Sequence, residues 1–282
     1  MTANDPNSAI APGDFKYVCA LLKDEAAIVL EEGKEYLVET RLGPLAKNSG
    51  FASLADLVAE LRFHAPAKLV KKVVDAMTTN ETSFYRDAHP FKALQTAILP
   101  ELMVSRAETR ALNIWSAACS TGQEPYSLVM MMKDHFPQLI NWHNYILATD
   151  LCTEVVEKAK SGLFRQIEVN RGLPAPLLMK HFSKVSGEWY IKEELRKQID
   201  FREMNLATPW PPIPQMDLVL LRNVMIYFNN DTKRSILERV AKLLRPDGYL
   251  MLGASETTWG VEDSFERVMV GTTTLFKRKK TA

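Results

Sequence analysis

Cysteine is scarce in this 282-residue chain, which has 3, and glycine is also sparse, with 12. Cys19, Cys119 and Cys152 are odd in number and widely separated, so the sequence predicts neither a disulfide framework nor a CxxC-type zinc site. We expect no metal centre. Free thiols suit a reducing compartment, which favours the cytoplasm.

The chain also lacks an excess of charge of either sign. It has 35 Lys and Arg against 34 Asp and Glu, a net charge of +1. A balanced chain has no overall attraction for nucleic acid, so we do not expect it to bind nucleic acid. No segment approaches the roughly 20 apolar residues of a membrane span, and the N-terminus lacks the basic flank and apolar run of a signal peptide. The sequence therefore predicts a cytoplasmic protein that does not insert into the membrane.

Helical periodicity is typical of the first part of the chain. Between Asp14 and Met77, apolar residues recur at intervals of three and four. Ser53 is placed to cap the third helix, and Pro66 suits the first turn of a fourth. We predict a small all-α domain over residues 14–77, preceded by a disordered leader over residues 1–13 and followed by a polar linker over residues 78–89.

From about residue 90 onward, short apolar runs alternate with helical stretches. The predicted strands and helices are Leu112–Trp115, Glu124–Phe136, Tyr145–Ala148, Met216–Leu221, Asp231–Leu244 and Tyr249–Leu252. This alternation predicts an α/β domain over residues 90–282, with a mostly parallel sheet and helices on both faces. Phe265–Val270 and Thr273–Lys277 predict a closing antiparallel hairpin. Ligands of such folds bind beyond the carboxyl ends of the strands.

Residues 163–200 interrupt this alternation. They contain a helix flanked by proline, Pro174–Phe182, and then Ser183–Ile191, which predicts a hairpin turning at Ser186-Gly187. We interpret the interval as a small antiparallel β-subdomain inserted in the sheet domain. The basic run Lys277–Lys280 is expected to be a solvated terminus rather than a functional patch.

Two strand ends indicate a ligand. The first predicted strand continues into the small residues Ser116–Gly122, where a ligand can approach the backbone and where Gly122 can adopt a turn conformation closed to larger residues. A tight strand-to-helix turn would look the same, since GxGxxG is absent. The next strand ends in Thr149-Asp150, and a carboxylate there can accept two hydrogen bonds from a ribose diol. Together these features favour a nucleoside-containing ligand, but not a triphosphate, because no phosphate-binding loop follows.

Two further segments carry candidate side chains. In the polar run Thr78–Asp87, the guanidinium of Arg86 can hold a ligand carboxylate, although the run could be a simple linker. After the third long strand, Arg222 and Asn223 lie at its carboxyl end. Tyr227 can project over a pocket there or be an ordinary core tyrosine.

Five segments together resemble the CheR family, the S-adenosylmethionine-dependent glutamate methyltransferases of bacterial chemoreceptors. They are Thr78–Asp87, Trp115–Ser127 (WSAACSTGQEPYS), Thr149-Asp150, Asn205-Leu206 and Arg222–Phe228 (RNVMIYF). The resemblance extends from about Asp14 to Lys277. It implies a Rossmann-like methyltransferase domain with a mostly parallel sheet, preceded by the all-α domain, and it identifies the insertion as the family's β-subdomain.

The resemblance also implies roles for the matching residues. Asn80, Thr82 and Arg86 would contact the cofactor, with Arg86 near its carboxylate. Glu124 would lie near the methionine part, Asp150 on the ribose, and Asn205 and Leu206 around the adenine. Arg222 and Asn223 would line the same site. Tyr227 would lie close to the transferring methyl. We expect Arg86 and Tyr227 to be the catalytic residues, acting by orienting the reacting groups.

The implied reaction transfers a methyl group from S-adenosylmethionine to glutamate side chains of methyl-accepting chemotaxis receptors, giving methyl esters and S-adenosylhomocysteine. Arg41 and Lys47, or the face with Lys68, Lys71 and Lys72, could dock the acidic receptor helix, although lysines on an outer helix face are normally only solvated. We expect a monomer that is recruited to membrane receptor arrays.

Some relatives grip a peptide at the receptor C-terminus through their β-subdomain. The hairpin turn Ser183–Trp189 is shorter than theirs, so we predict an enzyme that works independently of a receptor C-terminal pentapeptide. Two alternatives stay open. One is a methyltransferase acting on another substrate, a small molecule or RNA, and the other is a non-catalytic scaffold that binds the cofactor or the receptor.

Overall fold

The computed structural model describes residues 10–279. The chain divides into two units: one extends to Thr79 and includes Tyr227–Thr232, and the other contains Asn80–Ile226 and the chain from Lys233 onward. Residues 1–9 of the predicted leader lie outside the described residues, and the first helix already begins at Pro12. Among the described helices, none is long and apolar enough to cross a membrane.

Apolar residues at helical spacing build the first unit. Its described helices are α1 (Pro12–Ala26), α2 (Glu35–Asn48), α3 (Leu54–Phe63) and α4 (Ala67–Met77). The buried faces include Phe15, Val18, Leu22, Val38, Leu42, Leu57, Leu61 and Val73. The predicted cap of α3 is confirmed, because Ser53 Oγ accepts a hydrogen bond from the Asp56 amide at 3.1 Å and so satisfies a donor at the helix start. The predicted all-α character of this region is confirmed as well.

The second unit alternates helices and strands. In chain order its elements are α5 (His89–Ala93), a π-helical turn (Leu94–Ile98), α6 (Leu99–Ser105), β1 (Ala111–Ala117), α7 (Gln123–His135), a 3-10 turn (Pro137–Asn141), β2 (His143–Asp150), α8 (Thr153–Ser161), β3 (Leu163–Phe164), α9 (Gln166–Val169), α10 (Ala175–His181), β4 (Phe182–Val185), β5 (Glu188–Ile191), α11 (Glu193–Arg196), β6 (Ile199–Glu203), β7 (Met216–Leu221), a 3-10 turn (Met225–Tyr227), α12 (Asn230–Leu243), β8 (Leu244–Leu252), β9 (Phe265–Val270) and β10 (Thr273–Arg278). The first residues of α12 belong to the helical unit.

Seven strands form the main sheet, in the order β6-β2-β1-β7-β8-β10-β9. The pairs from β6 to β8 are parallel, and β10 runs antiparallel to both β8 and β9. This confirms the mostly parallel sheet and its closing hairpin. The chain proceeds from β1 outward to β2 and later returns to β7 on the other side of β1. Ligands of doubly wound sheets bind at such a reversal, so the carboxyl ends of β1 and β7 are the expected place for a site.

The inserted interval forms its own antiparallel sheet, with strand order β3-β5-β4. Ser186 and Gly187 both have positive φ, 52° and 89°, as the tight two-residue turn between β4 and β5 requires. The predicted hairpin is confirmed. The short strand β3 was not predicted, because two residues carry no recognisable pattern.

The basic run at the end of the chain is only partly described, since Lys280 lies outside the described residues. The prediction of a solvated terminus is wrong for Lys277. Its ammonium lies 2.8 Å from Glu101 Oε1 and 4.2 Å from the centroid of the Tyr249 ring. The ion pair and the cation–π contact attach this end of β10 to α6 and β8.

Candidate active site

Asp150 lies at the carboxyl end of β2 and joins two loops. Its Oδ2 accepts a hydrogen bond from the Ser120 amide at 2.8 Å, and its Oδ1 accepts one from the Cys152 amide at 3.0 Å. Burial raises the pKa of the Asp150 carboxyl, and the amides of Cys152, Ser120 and Leu151 oppose that rise. A carboxylate has about four lone-pair sites, so acceptor capacity remains for a ligand hydroxyl of the kind that a ribose offers.

The loop after β1 has the tight backbone that the small residues predicted. Ala118, Ser120 and Gly122 all have positive φ, of 55°, 50° and 92°. A Cβ at Gly122 would lie 3.0 Å from the Cβ of Ala159, so both the conformation and the close approach to α8 favour glycine. The predicted turn conformation of Gly122 is confirmed. Ser120 Oγ also donates to the Asn80 carbonyl at 2.8 Å, which connects this loop to the segment that precedes the sheet.

The segment after β6 lies next to Asp150. The Met204 amide donates to the Asp150 carbonyl at 2.8 Å, and this bond extends the β2–β6 pairing toward Asn205 and Leu206. The Leu206 side chain is buried, and its carbonyl accepts a hydrogen bond from Arg239 Nη2 at 2.6 Å. The chain that follows β6 thus leaves the sheet next to Asp150 and continues into Asn205 and Leu206.

Arg222 is the centre of a charged cluster at the carboxyl end of β7. Its Nη1 donates to Glu124 Oε2 at 2.9 Å, and its Nη2 donates to Asp87 Oδ2 at 2.7 Å and to the Arg86 carbonyl at 3.0 Å. Only 2% of the Arg222 side chain is exposed. Ser116 Oγ donates to the other oxygen of Glu124 at 2.8 Å. The guanidinium therefore connects the start of α7 with the segment that carries Arg86, through charge-assisted bonds.

The segment from Asn80 to Ala88 has an unusual backbone. Tyr85, Asp87 and Ala88 have φ of 48°, 67° and 40°, positive backbone angles that residues other than glycine rarely adopt. Buried Phe84 anchors the segment, with its ring centroid 5.0 Å from that of Phe164 and its amide donating to the Arg171 carbonyl at 3.2 Å. Strain of this kind persists only where the surroundings hold it, and it is often found at ligand sites.

Five of the nine predicted cofactor residues have contacts that are described above. These are Asn80, Glu124, Asp150, Leu206 and Arg222. Thr82 is half-buried within the strained segment. The side chain of Arg86 is also half-buried, and its Nη1 donates to the Glu81 carbonyl at 3.0 Å. The cofactor roles of Thr82 and Arg86 stay predictions.

Three predicted residues belong to the helical unit. Tyr227 is grouped there, and its carbonyl accepts a hydrogen bond from the Val29 amide at 3.0 Å. Arg41 Nη1 donates to the Met77 and Thr78 carbonyls at 2.6 and 3.0 Å, so Arg41 stabilises the C-terminal end of α4. Lys47 is exposed in the last turn of α2. The docking roles of Arg41 and Lys47 and the catalytic role of Tyr227 stay predictions.

Two acidic residues of the site were missed by the sequence reasoning. Asp87 pairs with Arg222, and its position directly after Arg86 was the available signal. The carboxylate of Glu256 accepts hydrogen bonds from the amides of Asn223, Val224 and Met225, at 2.7, 2.9 and 2.7 Å. Glu256 follows the predicted strand Tyr249–Leu252 by four residues, so it too lies beyond a carboxyl end. Among the residues described, no group of three or more His, Cys, Asp or Glu side chains is arranged to hold a metal.

Two models of known families match the chain, one on each side of residue 79. "CheR methyltransferase, all-alpha domain" matches residues 13–78, and "CheR methyltransferase, SAM binding domain" matches residues 80–274. The chain belongs to the CheR methyltransferase family. It is therefore an S-adenosylmethionine-dependent methyltransferase. The predicted family, fold class and enzyme class are confirmed.

Curated relatives of this CheR family member match over nearly their whole length. "Chemotaxis protein methyltransferase 1" of Pseudomonas aeruginosa is 39% identical over 274 residues, 95% of this chain and 99% of the relative. "Chemotaxis protein methyltransferase Cher2" of Pseudomonas putida is 37% identical over 271 residues, 94% of this chain and 98% of the relative. "Chemotaxis protein methyltransferase 1" of Vibrio cholerae is 35% identical over 274 residues, 96% of this chain and 98% of the relative.

The chemistry of the CheR site fits S-adenosylmethionine, which is the cofactor of the family domain. Asp150 offers acceptors of the kind that bind a ribose hydroxyl, and its carbonyl is hydrogen-bonded to the amide of Met204, two residues before buried Leu206. Glu124 and Asp87 share the single guanidinium of Arg222, so this part of the site has one more negative than positive charge, which suits a cationic group.

Proposed function

We propose that this protein transfers the methyl group of S-adenosylmethionine to glutamate side chains of bacterial chemoreceptors. The products are glutamyl methyl esters and S-adenosylhomocysteine, and the modification serves chemotactic adaptation. The observation that carries this proposal is the match to chemotaxis protein methyltransferases over nearly the whole of both chains. The Asp150 and Arg222 networks support it, because these polar and charged residues lie at the carboxyl ends of β2 and β7, where ligands of such sheets bind.

The proposed reaction needs positioning rather than proton transfer. The cofactor supplies an electrophilic methyl group on a sulfonium. An oxygen of the substrate carboxylate forms a bond to the methyl carbon as the carbon–sulfur bond breaks, and the electron pair of that bond returns to sulfur. A glutamate has an ordinary pKa of about 4.3 and is already ionised at neutral pH, so no general base is required. Orientation of bound reactants can supply roughly 7–11 kcal/mol.

We assign the cofactor contacts by chemical type. Asp150 accepts from the ribose hydroxyls, Arg86 pairs with the cofactor carboxylate, and Glu124 lies near the methionine ammonium. Asn80, Thr82 and Asn223 supply polar groups in the same site, Arg222 holds Glu124 in place, and Asn205 and Leu206 flank the adenine. The burial of Asp150 and the hydrogen bonds to both of its oxygens support its role, since they fix the direction of the remaining lone pairs.

Tyr227 is proposed to orient the reacting groups without moving a proton. In a Tyr227→Phe variant we expect kcat to fall while the shape of its pH dependence stays the same, because the lost hydroxyl only positioned the methyl and its acceptor. Measuring kcat between pH 6 and 9 for both proteins tests this role. A limb of the profile that disappears with the hydroxyl would refute a purely positional role.

The substrate is proposed to dock on the helical domain through cations, chiefly Lys47 and Arg41. The exposure of Lys47 supports its part, whereas Arg41 also holds the end of α4. Lys47→Glu should raise KM for receptor because it repels an acidic helix. Lys23→Glu is the matched control, since Lys23 is also exposed in the last turn of a helix. Equal effects of the two changes would contradict docking at Lys47.

We also propose that activity does not depend on a receptor C-terminal pentapeptide. The two-residue turn at Ser186-Gly187 supports this, because β4 and β5 are joined with little chain to grip an added strand. Isothermal calorimetry with the pentapeptide of a host receptor should show no binding at micromolar concentrations. A micromolar Kd would overturn the inference.

The protein is proposed to act as a cytoplasmic monomer recruited to receptor arrays, with no nucleic-acid partner. The decisive experiment incubates it with S-adenosyl-[methyl-³H]methionine and receptor-bearing membranes of its host. Label on a receptor-sized band that mild alkali releases as methanol is the expected result. Alkali-stable label would instead indicate a different acceptor. Cofactor binding without any label would indicate a non-catalytic scaffold.

A further inference from the structure

Glu256 makes an unusual set of contacts in the loop between β8 and β9. Its carboxylate accepts hydrogen bonds from four backbone amides. Oε2 accepts from Gly253 and Asn223, both at 2.7 Å, and Oε1 accepts from Val224 at 2.9 Å and from Met225 at 2.7 Å. One side chain thus connects its own loop with the loop that follows the neighbouring parallel strand β7.

The local backbone is arranged around this carboxylate. Asn223 has φ of 60°, a left-handed conformation that asparagine tolerates better than most residues. A Cβ at Gly253 would lie 2.6 Å from Glu256 Oε2 and 2.9 Å from the Asn223 nitrogen. The two loops therefore approach each other too closely for any residue but glycine at position 253.

The loop that Glu256 holds also carries the centre of the charged cluster. Arg222 directly precedes Asn223, and its guanidinium binds Glu124 and Asp87. A change in the backbone at Asn223 would change the direction in which the Arg222 side chain leaves the sheet. Through Arg222, it would also move Glu124 and the carbonyl of Arg86.

We propose that Glu256 is a positioning residue of the cofactor site, which it shapes through backbone contacts alone. Its carboxylate holds Arg222 and Asn223 in the conformation that binds the cofactor, and this inference rests on the proposed assignment of those two residues to that site. The role requires an acceptor at both oxygens. Glutamine would retain one acceptor oxygen and would place an NH₂ donor against two amide donors.

The test compares Glu256→Gln with Glu262→Gln. Glu262 lies in the same loop, and its Oε1 also accepts a backbone hydrogen bond, from the Ser264 amide at 2.9 Å, but it serves only its own loop. S-adenosylhomocysteine is titrated into each purified full-length protein by calorimetry. We expect Kd to rise at least tenfold in Glu256→Gln and to change less than twofold in Glu262→Gln. An unchanged Kd in Glu256→Gln would overturn the proposal, and so would equal losses in the two variants.

Two further measurements separate positioning from a general loss of structure. At saturating cofactor, kcat of Glu256→Gln should return to within about twofold of the parent, because the defect lies in binding. A loss of kcat with KM unchanged would contradict a positioning role in cofactor binding. In hydrogen exchange, the amides of Asn223, Val224 and Met225 should exchange at least tenfold faster, whereas those of β7 should not. Uniformly faster exchange would assign Glu256 to overall stability and refute the proposal.

These readouts are independent of the receptor. If the parent protein binds S-adenosylhomocysteine but methylates no receptor, the proposed substrate is wrong, and the inference about Glu256 is still decided by calorimetry. If Glu256→Gln does not fold, Glu256→Asp is used with the same titration. The shorter side chain retains the charge but cannot reach both loops at once, so the expected loss of affinity is the same.

Discussion

Replacing Arg222 with methionine should destabilise the methyltransferase unit by about 3 kcal/mol. The Arg222 side chain is 2% exposed and that of Glu124 is 12% exposed, so the change leaves a carboxylate where little water can reach it. Removing one partner of a buried ion pair costs about 3–5 kcal/mol. The lower end applies because Asp87, at 35% exposure, can be solvated, and because Ser116 still donates to Glu124.

A double-mutant cycle tests whether the buried charge causes this loss. Glu124→Gln alone should cost about 1.5 kcal/mol, since Arg222 retains Asp87 and the Arg86 carbonyl. If the unpaired carboxylate is the main penalty of Arg222→Met, neutralising it should relieve most of that loss, and the double variant should cost about 1.5 kcal/mol instead of the sum of about 4.5. The expected coupling energy is therefore about 3 kcal/mol.

Tryptophan fluorescence during urea unfolding isolates the relevant unit. The chain has five tryptophans, at positions 115, 142, 189, 210 and 259, and all of them belong to the methyltransferase unit. The four proteins should share one m-value, so that midpoint shifts report stability. Two single-variant losses that add within about 0.5 kcal/mol would refute the coupling. A loss below about 1 kcal/mol for Arg222→Met would refute the premise that Glu124 is poorly solvated.

Two other changes test the site more directly. Asp150→Asn should weaken S-adenosylhomocysteine binding by roughly 10- to 100-fold, the equivalent of one charge-assisted hydrogen bond, as calorimetry would measure. Burial raises the pKa of Asp150, and the proposed bonds to the ribose require its ionised form. Affinity should therefore be full above that pKa and should fall as the pH is lowered through it. The Asp150→Asn variant should lack this pH dependence. Gly172→Ala would place a Cβ 2.0 Å from the Phe84 carbonyl oxygen and should therefore disturb the strained segment and weaken cofactor binding. Gly187→Ala is its control, because φ is 89° at Gly187 and 84° at Gly172 but no atom lies within 4 Å of a Cβ built at Gly187. The control should lose only about 1–2 kcal/mol of stability, and its cofactor binding should be unchanged.

The strands that were predicted most accurately from the sequence are those whose side chains are all buried. Met216–Leu221 was predicted to the residue, because all six side chains are buried and the run is almost entirely apolar. Strand β8 begins at Leu244, five residues before the predicted start at Tyr249. Its first part contains Arg245, Pro246 and Asp247, which have no strand pattern. Arg106 holds this part by binding Asp217 at 2.6 Å and Asp247 at 2.5 Å, a long-range contact that no local pattern reveals.

Strand β6 was missed for a related reason. Residues 199–203 read IDFRE, so the alternation is short and ends in charge. The strand lies at the edge of the sheet, where only one neighbour, β2, pairs with it. Edge strands carry such charges because their outer side faces solvent. The local composition therefore did not predict a strand here, and it is the parallel pairing with β2 that stabilises it.

For the site, position in the fold was a better guide than residue type. Asp150 and Arg222 could be found because parallel strands bring their carboxyl ends to one edge, whatever their separation in sequence. Arg41 was chosen for its charge on a helix, and its guanidinium instead has contacts at the end of α4. A surface cation can serve its own backbone equally well, and only the structure distinguishes the two uses.

The proposed glutamate substrate is an anion, and the proposed cofactor site is itself rich in carboxylates. The described residues of the site include four carboxylates, those of Asp87, Glu124, Asp150 and Glu256, and three guanidinium groups, those of Arg86, Arg222 and Arg239. Glu256 is stabilised by four amides, and Asp87 and Glu124 share Arg222, so most of this negative charge is already matched within the protein. An incoming glutamate would therefore meet a smaller repulsion than the four charges suggest. Removing Arg222 should thus alter the electrostatics of substrate approach as well as the geometry of cofactor binding.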